Sequence, residues 1–498
     1  MIRRFAFASF FALSAGAAAQ APPAVVPCAV FGAEPPPCAT PTPAPGTLAI
    51  VEGEAITWNE LDPTLKADVE ALDAKVAEAR RAAVRAEAED ALLAAEAARR
   101  GSSVDALLDD EVSAKIAKPT DAEISAELTL HPERYAGRND EAVRPAASAR
   151  LEDERAERLR REFLARLEKT SPIALGADPN APGLADEAVL ATVAGRKITR
   201  RDAAPRIAAA VYRAAMPVHW RESNAVEKLV HERLLKLEAA RRGVSPADVT
   251  RVEVTEKLKP PTDAEIAAAH EKYRAFFPAD LAKARPEVLE YLTADRRHDA
   301  ETELDRRLRE GRSVRVLVEA PPHPSMPGID VSGSPSRGPA NAAVTLVEFG
   351  DFQCPPCRLM SSVVEEAWKP YESRVRFVFR QYPLDMHTFA RKAAEAGLAA
   401  DAQGKFFPYA HLLFAHQDAL DVASLKKYAA EAGLDRAQFD RDLDSGRFAA
   451  RVRRDKHDGE RYGVLGTPTF FLNGVPVEAK SDTVEGLRAL FDAALAGK

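Results

Sequence analysis

The chain of 498 residues holds only four cysteines, too few for a fold maintained by a disulfide framework. Beyond residue 19 it has no apolar run long enough to cross the roughly 30 Å hydrocarbon layer of a bilayer. Charge of one sign is not in excess either. The 69 basic and 76 acidic side chains leave a net charge of −7, which excludes the basic footprint of a nucleic-acid binder. Aromatic residues are scarce and unevenly placed: of 33 Phe, Tyr and Trp, 19 fall in the last 158 positions, four in the first eleven and ten between. Large rings fill three-dimensional cores. The distribution therefore predicts a compact C-terminal domain, with a boundary near residue 340, preceded by Ala-, Arg- and Glu-rich helices with thin cores. A hydrophobic content of 46% with 29% charged residues argues against wholesale disorder, and the length suggests about three domains.

Met1 to Arg4 carries two arginines, Phe5 to Leu13 is apolar, and Ala17-Ala18-Ala19 offers small residues for cleavage. This layout predicts a secretory signal peptide over 1–19. The mature protein is then expected to be soluble and periplasmic or otherwise exported, in an oxidising compartment. Residues 20–46 are rich in proline and predict an extended tether. The tether contains Cys28 and Cys38, whose spacing in an exported chain most simply gives a local structural disulfide, with a second redox pair as the less favoured alternative.

The middle of the chain repeats itself at an offset of 142 residues. Val51-Glu52-Gly53-Glu54-Ala55-Ile56-Thr57 aligns with Val193-Ala194-Gly195-Arg196-Lys197-Ile198-Thr199. Ala97 to Gly101 recurs as Ala239 to Gly243, and Pro119 to Ile124 as Pro261 to Ile266. Each copy reads as a short hairpin followed by helices. Val226, Leu229, Val230, Leu234 and Leu237 form one apolar face, and Gly243 ends that helix. Thr120 with Glu123, and Thr262 with Glu265, have the spacing of capping boxes. On these motifs and on Glu238 to Gly243, residues 47–322 resemble the N-terminal chaperone domain of SurA and related folding factors, present as 47–183 and 184–322. The resemblance implies a cradle for unfolded chains. No parvulin-type domain follows, so prolyl isomerisation is not implied, and a plain spacer or homodimerisation arm fits the same pattern.

After a Pro- and Gly-bearing linker over 323–340, Val344 to Phe349 reads as a buried strand running into Cys354-Pro355-Pro356-Cys357 and a helix to about Trp368. A Cys-x-x-Cys at a helix N-terminus lets free N–H groups and the helix dipole stabilise the Cys354 thiolate. Cys357, one turn inward, can then resolve a mixed disulfide. Half of a zinc site is the competing reading, but no second Cys-x-x-Cys or His pair stands nearby, and no metal is expected. Gly466-Thr467-Pro468-Thr469 follows about a hundred residues later, with Asn473-Gly474 as a hairpin turn.

Together these motifs make residues 341–498 resemble DsbA-like thioredoxin-fold proteins. The resemblance implies a fold in which Met386 to Tyr462 forms an inserted helical lobe. It also implies that Pro468 is cis and that Thr467 pairs with an extended substrate strand, with Pro355 and Pro356 on the substrate-facing side. Glu348 falls where the family often has a buried acid that exchanges a proton with the inner cysteine; a surface glutamate on an edge strand is the bland alternative. One departure stands out. DsbA has histidine where this chain has Pro356, and prolines at 355 and 356 both lack an N–H. A less stabilised thiolate than that of DsbA is expected. His387, His411, His416 and His457 are expected to be ordinary surface or packing residues.

The expected fold is multidomain: a duplicated, mostly α-helical N-terminal region followed by an α/β thioredoxin fold with a helical insertion. The expected activity is thiol–disulfide oxidoreduction on exported, cysteine-containing or unfolded clients. Its redox group is the Cys354–Cys357 disulfide, with no dissociable cofactor. Electrons would pass to a membrane or soluble redox partner. A holdase that uses the thioredoxin fold as a platform is the alternative. A nucleotide enzyme is disfavoured, because Gly333 and Gly338 accompany no phosphate-binding lysine motif.

Overall fold

The computed structural model describes residues 44, 46–135, 140–272, 277, 280–326, 328–477 and 483–497. The expected signal peptide, nearly all of the tether, and both Cys28 and Cys38 lie outside the described residues. A mostly helical N-terminal region leads into a thioredoxin-like α/β domain with a mixed sheet.

The first copy comprises β1 (Thr47–Val51), β2 (Glu54–Thr57), α1 (Pro63–Glu70), α2 (Leu72–Arg100), α3 (Val104–Glu111), α4 (Asp121–Leu130), α5 (Pro132–Tyr135), α6 (Asp140–Thr170) and β3 (Ala174–Leu175). The second comprises β4 (Val189–Val193), β5 (Arg196–Thr199), α7 (Arg200–Arg242), α8 (Pro246–Glu253), α9 (Asp263–Lys272), α10 (Leu281–Arg309) and β6 (Val314–Val316). Identical local chemistry builds both. The hairpins turn through Glu52-Gly53 and Ala194-Gly195, all four at positive φ, the geometry of a two-residue hairpin turn. Thr120–Glu123 and Thr262–Glu265 form reciprocal capping boxes. A second pair, Thr57–Glu60 and Thr199–Asp202, recurs at the same offset. Gly101 and Gly243 end α2 and α7 in the left-handed conformation. Glu96 and Glu238 are buried beside these ends, each held by the two arginines that follow it.

The two sequence copies exchange their hairpins. β1 pairs with β6 of the second copy, and Val51 and Ile56 pack on Val226, Val230, Leu234, Leu304 and Leu308. Conversely β4 pairs with β3 of the first copy, and Leu190, Val193 and Ile198 pack on Leu92, Leu93, Phe163 and Leu164. The packing units are thus interleaved rather than successive, and the 43-residue helix α7 belongs to both.

The thioredoxin-like domain contains β7 (Ser336–Arg337), β8 (Val344–Gly350), α11 (Pro355–Trp368), β9 (Val375–Gln381), α12 (Ala390–Asp401), α13 (Phe406–Ala415), α14 (Val422–Glu431), α15 (Arg436–Ser445), α16 (Ala449–Arg461), β10 (Thr469–Leu472), β11 (Val475–Pro476) and α17 (Val484–Ala496). The sheet order is β11-β10-β8-β9-β7, with β8 and β9 parallel and the other pairs antiparallel. The stretch 323–340 has the composition of a linker, yet it supplies the edge strand β7 and the buried side chain of Met326. Alternation along β8 sends Leu346 to the face covered by α11 and α17, and Val347 and Phe349 to the other. That second face is closed partly by the helical region, through Ala209 of α7.

Further contacts fix the helical region to the domain. Tyr135, Val143 and Ala147 join the buried cluster of Phe389 and Ala393. Asp153 of α6 takes ion pairs from both Arg391 and Arg453. Arg213 of α7 donates to the carbonyl of Val464 at 2.7 Å. His323 lies between the rings of Tyr212 and Phe471, with centroids at 4.4 and 5.8 Å.

Candidate active site

Cys354 is the N-cap residue of α11, at the carboxyl end of β8, the middle strand of the sheet. Cys354 and Cys357 are both buried. Because Pro355 and Pro356 have no N–H, the first backbone donor of the helix is that of Cys357. The Cys354 Sγ stands 3.2 Å from the carbonyl oxygen of Thr467, and the Thr467–Pro468 peptide is cis. The Thr467 hydroxyl is buried without a hydrogen-bond partner and can turn its proton to the same sulfur.

These surroundings split the two thiols. A hydrogen bond from the Cys357 thiol brings Cys354 down to about 7, against the opposing effect of burial. The Thr467 side chain and the Cys357 backbone N–H add to the lowering, whereas Asp351 opposes it. Burial drives Cys357 well above the ordinary thiol range, and the neighbouring Cys354, Glu348 and Asp351 charges push it the same way. At neutral pH the outer sulfur is therefore the readier of the two to ionise, and the inner one holds its proton.

Glu348 lies on β8 between β10 and β9, opposite Phe470 and Phe379. It is a central-strand residue with 2% of its surface exposed, not an edge glutamate. It shares the sheet face of Leu346, onto which Cys357 packs. Its Oε1 has no hydrogen-bond partner, and burial raises its carboxyl to about 8, with the Cys354 charge adding to the effect. A Cβ at position 350 would stand 2.5 Å from the Phe379 ring and 3.0 Å from Glu348 Oε1, so Gly350 leaves that carboxyl its space. A protonated carboxyl beside a buried thiol is suited to moving one proton.

Two polar residues of the site carry no sequence motif. Gln417 is buried, and its Nε2 donates to the carbonyls of Phe352 (2.7 Å) and Cys354 (2.9 Å). Asp351 is buried and accepts from the backbone of Gln353 and Leu384 and from His387 Nδ1 at 2.7 Å. His387 is thereby part of the site. His416 stacks on Tyr428, while His411 and His457 are exposed. Among the described residues no group of three His, Cys, Asp or Glu side chains could hold a metal ion, and no helix is long and apolar enough to cross a membrane.

Comparison with a family model agrees with the architecture of the C-terminal region. Residues 330–493 match the family model described as Thioredoxin, so the C-terminal region is a thioredoxin-like domain that begins before β7. Among curated proteins, the Na(+)/H(+) antiporter NhaA 3 of Salinispora tropica is 45% identical over 139 residues, covering 28% of this chain and 21% of that protein. The chain thus spans about a fifth of the length of that relative. Among solved structures, oxidised BdbD from Bacillus subtilis is 24% identical, covering 34% of this chain and 98% of its own, with a TM-score of 0.32. A thioredoxin-like oxidoreductase from Silicibacter pomeroyi is 27% identical, covering 33% and 91%, with a TM-score of 0.29.

Proposed function

We propose that this protein is a thiol–disulfide oxidoreductase acting on cysteine-containing exported proteins. The observation that carries the reading is the position of Cys354: at the start of α11, touching the residue before the cis-proline, with Cys357 and the protonated Glu348 beneath it. In the oxidising direction, a client thiolate attacks the Cys354 sulfur of the Cys354–Cys357 disulfide and Cys357 leaves as a thiolate, protonated by Glu348. A second client thiolate then displaces Cys354, so the client gains a disulfide and the protein becomes a dithiol. The reverse sequence reduces a client, with Cys354 attacking and Cys357 resolving. Thr467, Pro468, Pro355 and Pro356 form the surface on which an extended client segment lies, with pairing to the Thr467 backbone a form of β-augmentation. The redox group is the cysteine pair itself, recharged by a separate redox partner.

The helical region serves in this reading to keep clients near the cysteines, raising their effective concentration. Its exposed Leu130, Leu175 and Trp220 are the apolar side chains that an unfolded chain would meet. A cleft of about 830 Å³ beside α11, lined by Arg358, Glu365, His411 and Phe414 and, from α9, Glu271, brings that region to the side of the redox helix. A signal-directed export route and a periplasmic setting complete the proposal.

Incubation of Cys357→Ser with a reduced, unfolded client and an oxidant is expected to accumulate a mixed disulfide through Cys354. Cys354→Ser should accumulate none. Protection of a client from aggregation that survives in the double serine variant, with no disulfide turnover by the parent protein, would instead establish the holdase.

A further inference from the structure

The segment that carries Cys354 is fastened by a buried carboxylate–imidazole hydrogen bond outside the roles assigned so far. The Asp351 side chain is fully enclosed, with a relative exposure of 0%. Its Oδ1 accepts from Gln353 N at 2.7 Å, and its Oδ2 accepts from Leu384 N at 2.9 Å and His387 Nδ1 at 2.7 Å. Its backbone carbonyl accepts from Cys354 N at 3.1 Å. Gln353 Oε1 in turn accepts from Phe389 N at 2.7 Å. Residues 351–354 and 384–389 are thus stitched together directly behind the nucleophile.

Holding two loops needs acceptors but not a charge, and a neutral amide or hydroxyl would serve the backbone donors. An ionised carboxylate enclosed here is costly unless a cation faces it, and His387 is the residue placed to supply one. The carboxylate lies three positions before Cys354 and pushes both thiols up. Glu348 on β8 and the cysteines on α11 share this site, since Glu348 and Asp351 both act on Cys357, and Asp385, beside Leu384 in the chain, is ion-paired to Lys456 of α16.

We propose that Asp351 and His387 are a positioning pair that sets the thiol–disulfide balance of Cys354 and Cys357: the carboxylate disfavours the Cys354 thiolate and the protonated imidazole against it relieves that effect. This inference rests on the oxidoreductase reading. The effect argued for His387 runs through its hydrogen bond to Asp351, so the two side chains have opposite effects on the balance although they serve the same loop contact.

The test equilibrates the full chain with glutathione buffers, in which two glutathione thiols reduce one protein disulfide, and follows the Cys354 thiolate by its ultraviolet absorbance against pH. Asp351→Asn is expected to shift the equilibrium at least threefold toward the dithiol and to lower the thiolate midpoint. His387→Gln is expected to shift it at least threefold toward the disulfide and to raise that midpoint. The double variant should lie nearer to Asp351→Asn than to His387→Gln. Shifts of the same sign in both single variants, or none, would overturn the proposal and leave the pair as a plain loop tether. Should Asp351→Asn fail to fold, His387→Lys, which keeps a positive charge, should stay within twofold of the parent while His387→Gln departs from it; equal shifts in the two would overturn it. A parent protein that exchanges with no glutathione at all would instead defeat the oxidoreductase reading. The thiolate absorbance would still report on the pair.

Discussion

The Cys354 sulfur and the Thr467 carbonyl oxygen are 3.2 Å apart, which places the proposed nucleophile against the segment proposed to receive a client strand. The 113 residues that separate them are brought to one point by the antiparallel pairing of β10 with β8. In the proposed reaction, a client strand that pairs with Thr467 is therefore delivered to the outer sulfur of the pair, while Cys357 stays enclosed. Proximity of this kind supplies much of the rate in thiol exchange, because a bimolecular encounter becomes a local one.

Alkylation of the reduced protein by iodoacetamide should follow the ionisation of Cys354. Its pKa of about 7 predicts a modification rate that rises through pH 7 and levels off above about pH 8, with Cys357 protected throughout. A midpoint below about 4, the range of DsbA, would mean that the two prolines do not limit the donors facing the sulfur.

Glu348 gives a stability signature. Its carboxyl is raised to about 8 in the fold, so between pH 4.5 and 8 the folded state keeps a proton that the unfolded chain releases. Stability due to this group consequently falls as pH rises across that window. Glu348→Gln should remove the slope, gaining up to about 3 kcal/mol on the parent between pH 4.5 and 7, as read by denaturant titration of the reduced proteins. The same variant should slow resolution of the mixed disulfide, because Cys357 loses its proton partner.

The exchanged hairpins predict where a core lesion is felt. Ile56 is fully buried against helices of the second copy, and Ile56→Asp places a carboxyl there at a cost of about 3 kcal/mol or more. Hydrogen exchange is expected to accelerate in 226–234 and 304–308, while 84–97 stays protected. Acceleration in 84–97 alone would mean that each hairpin serves its own copy.

The cysteine pair, the Gly-Thr-Pro segment and the helical lobe were legible in the sequence because each depends on contiguous residues with a fixed chemistry. Pro468 and Cys354 announce themselves at a distance, since strand, turn and helix signals flank both. Asp351 offered a faint signal, an acid close before Cys354, and Gln417 offered none, because its partners are backbone carbonyls 63 and 65 residues away. The hairpin exchange was hidden for a different reason. Ile56 and Ile198 carry the same local pattern, so periodicity cannot say which copy's helices either will cover. Ser336–Arg337 is too short for any alternation to show, and its pairing with β9 comes from the sheet edge it meets.

The most direct test of the central claim is the reduction potential of the Cys354–Cys357 pair, measured by equilibrating the protein with graded glutathione buffers. The account predicts one two-electron transition, lost in Cys354→Ser, at a potential more negative than the roughly −120 mV of DsbA and toward the −270 mV of thioredoxin. Cysteines that stay reduced across the whole series, with no disulfide formed between them, would contradict it.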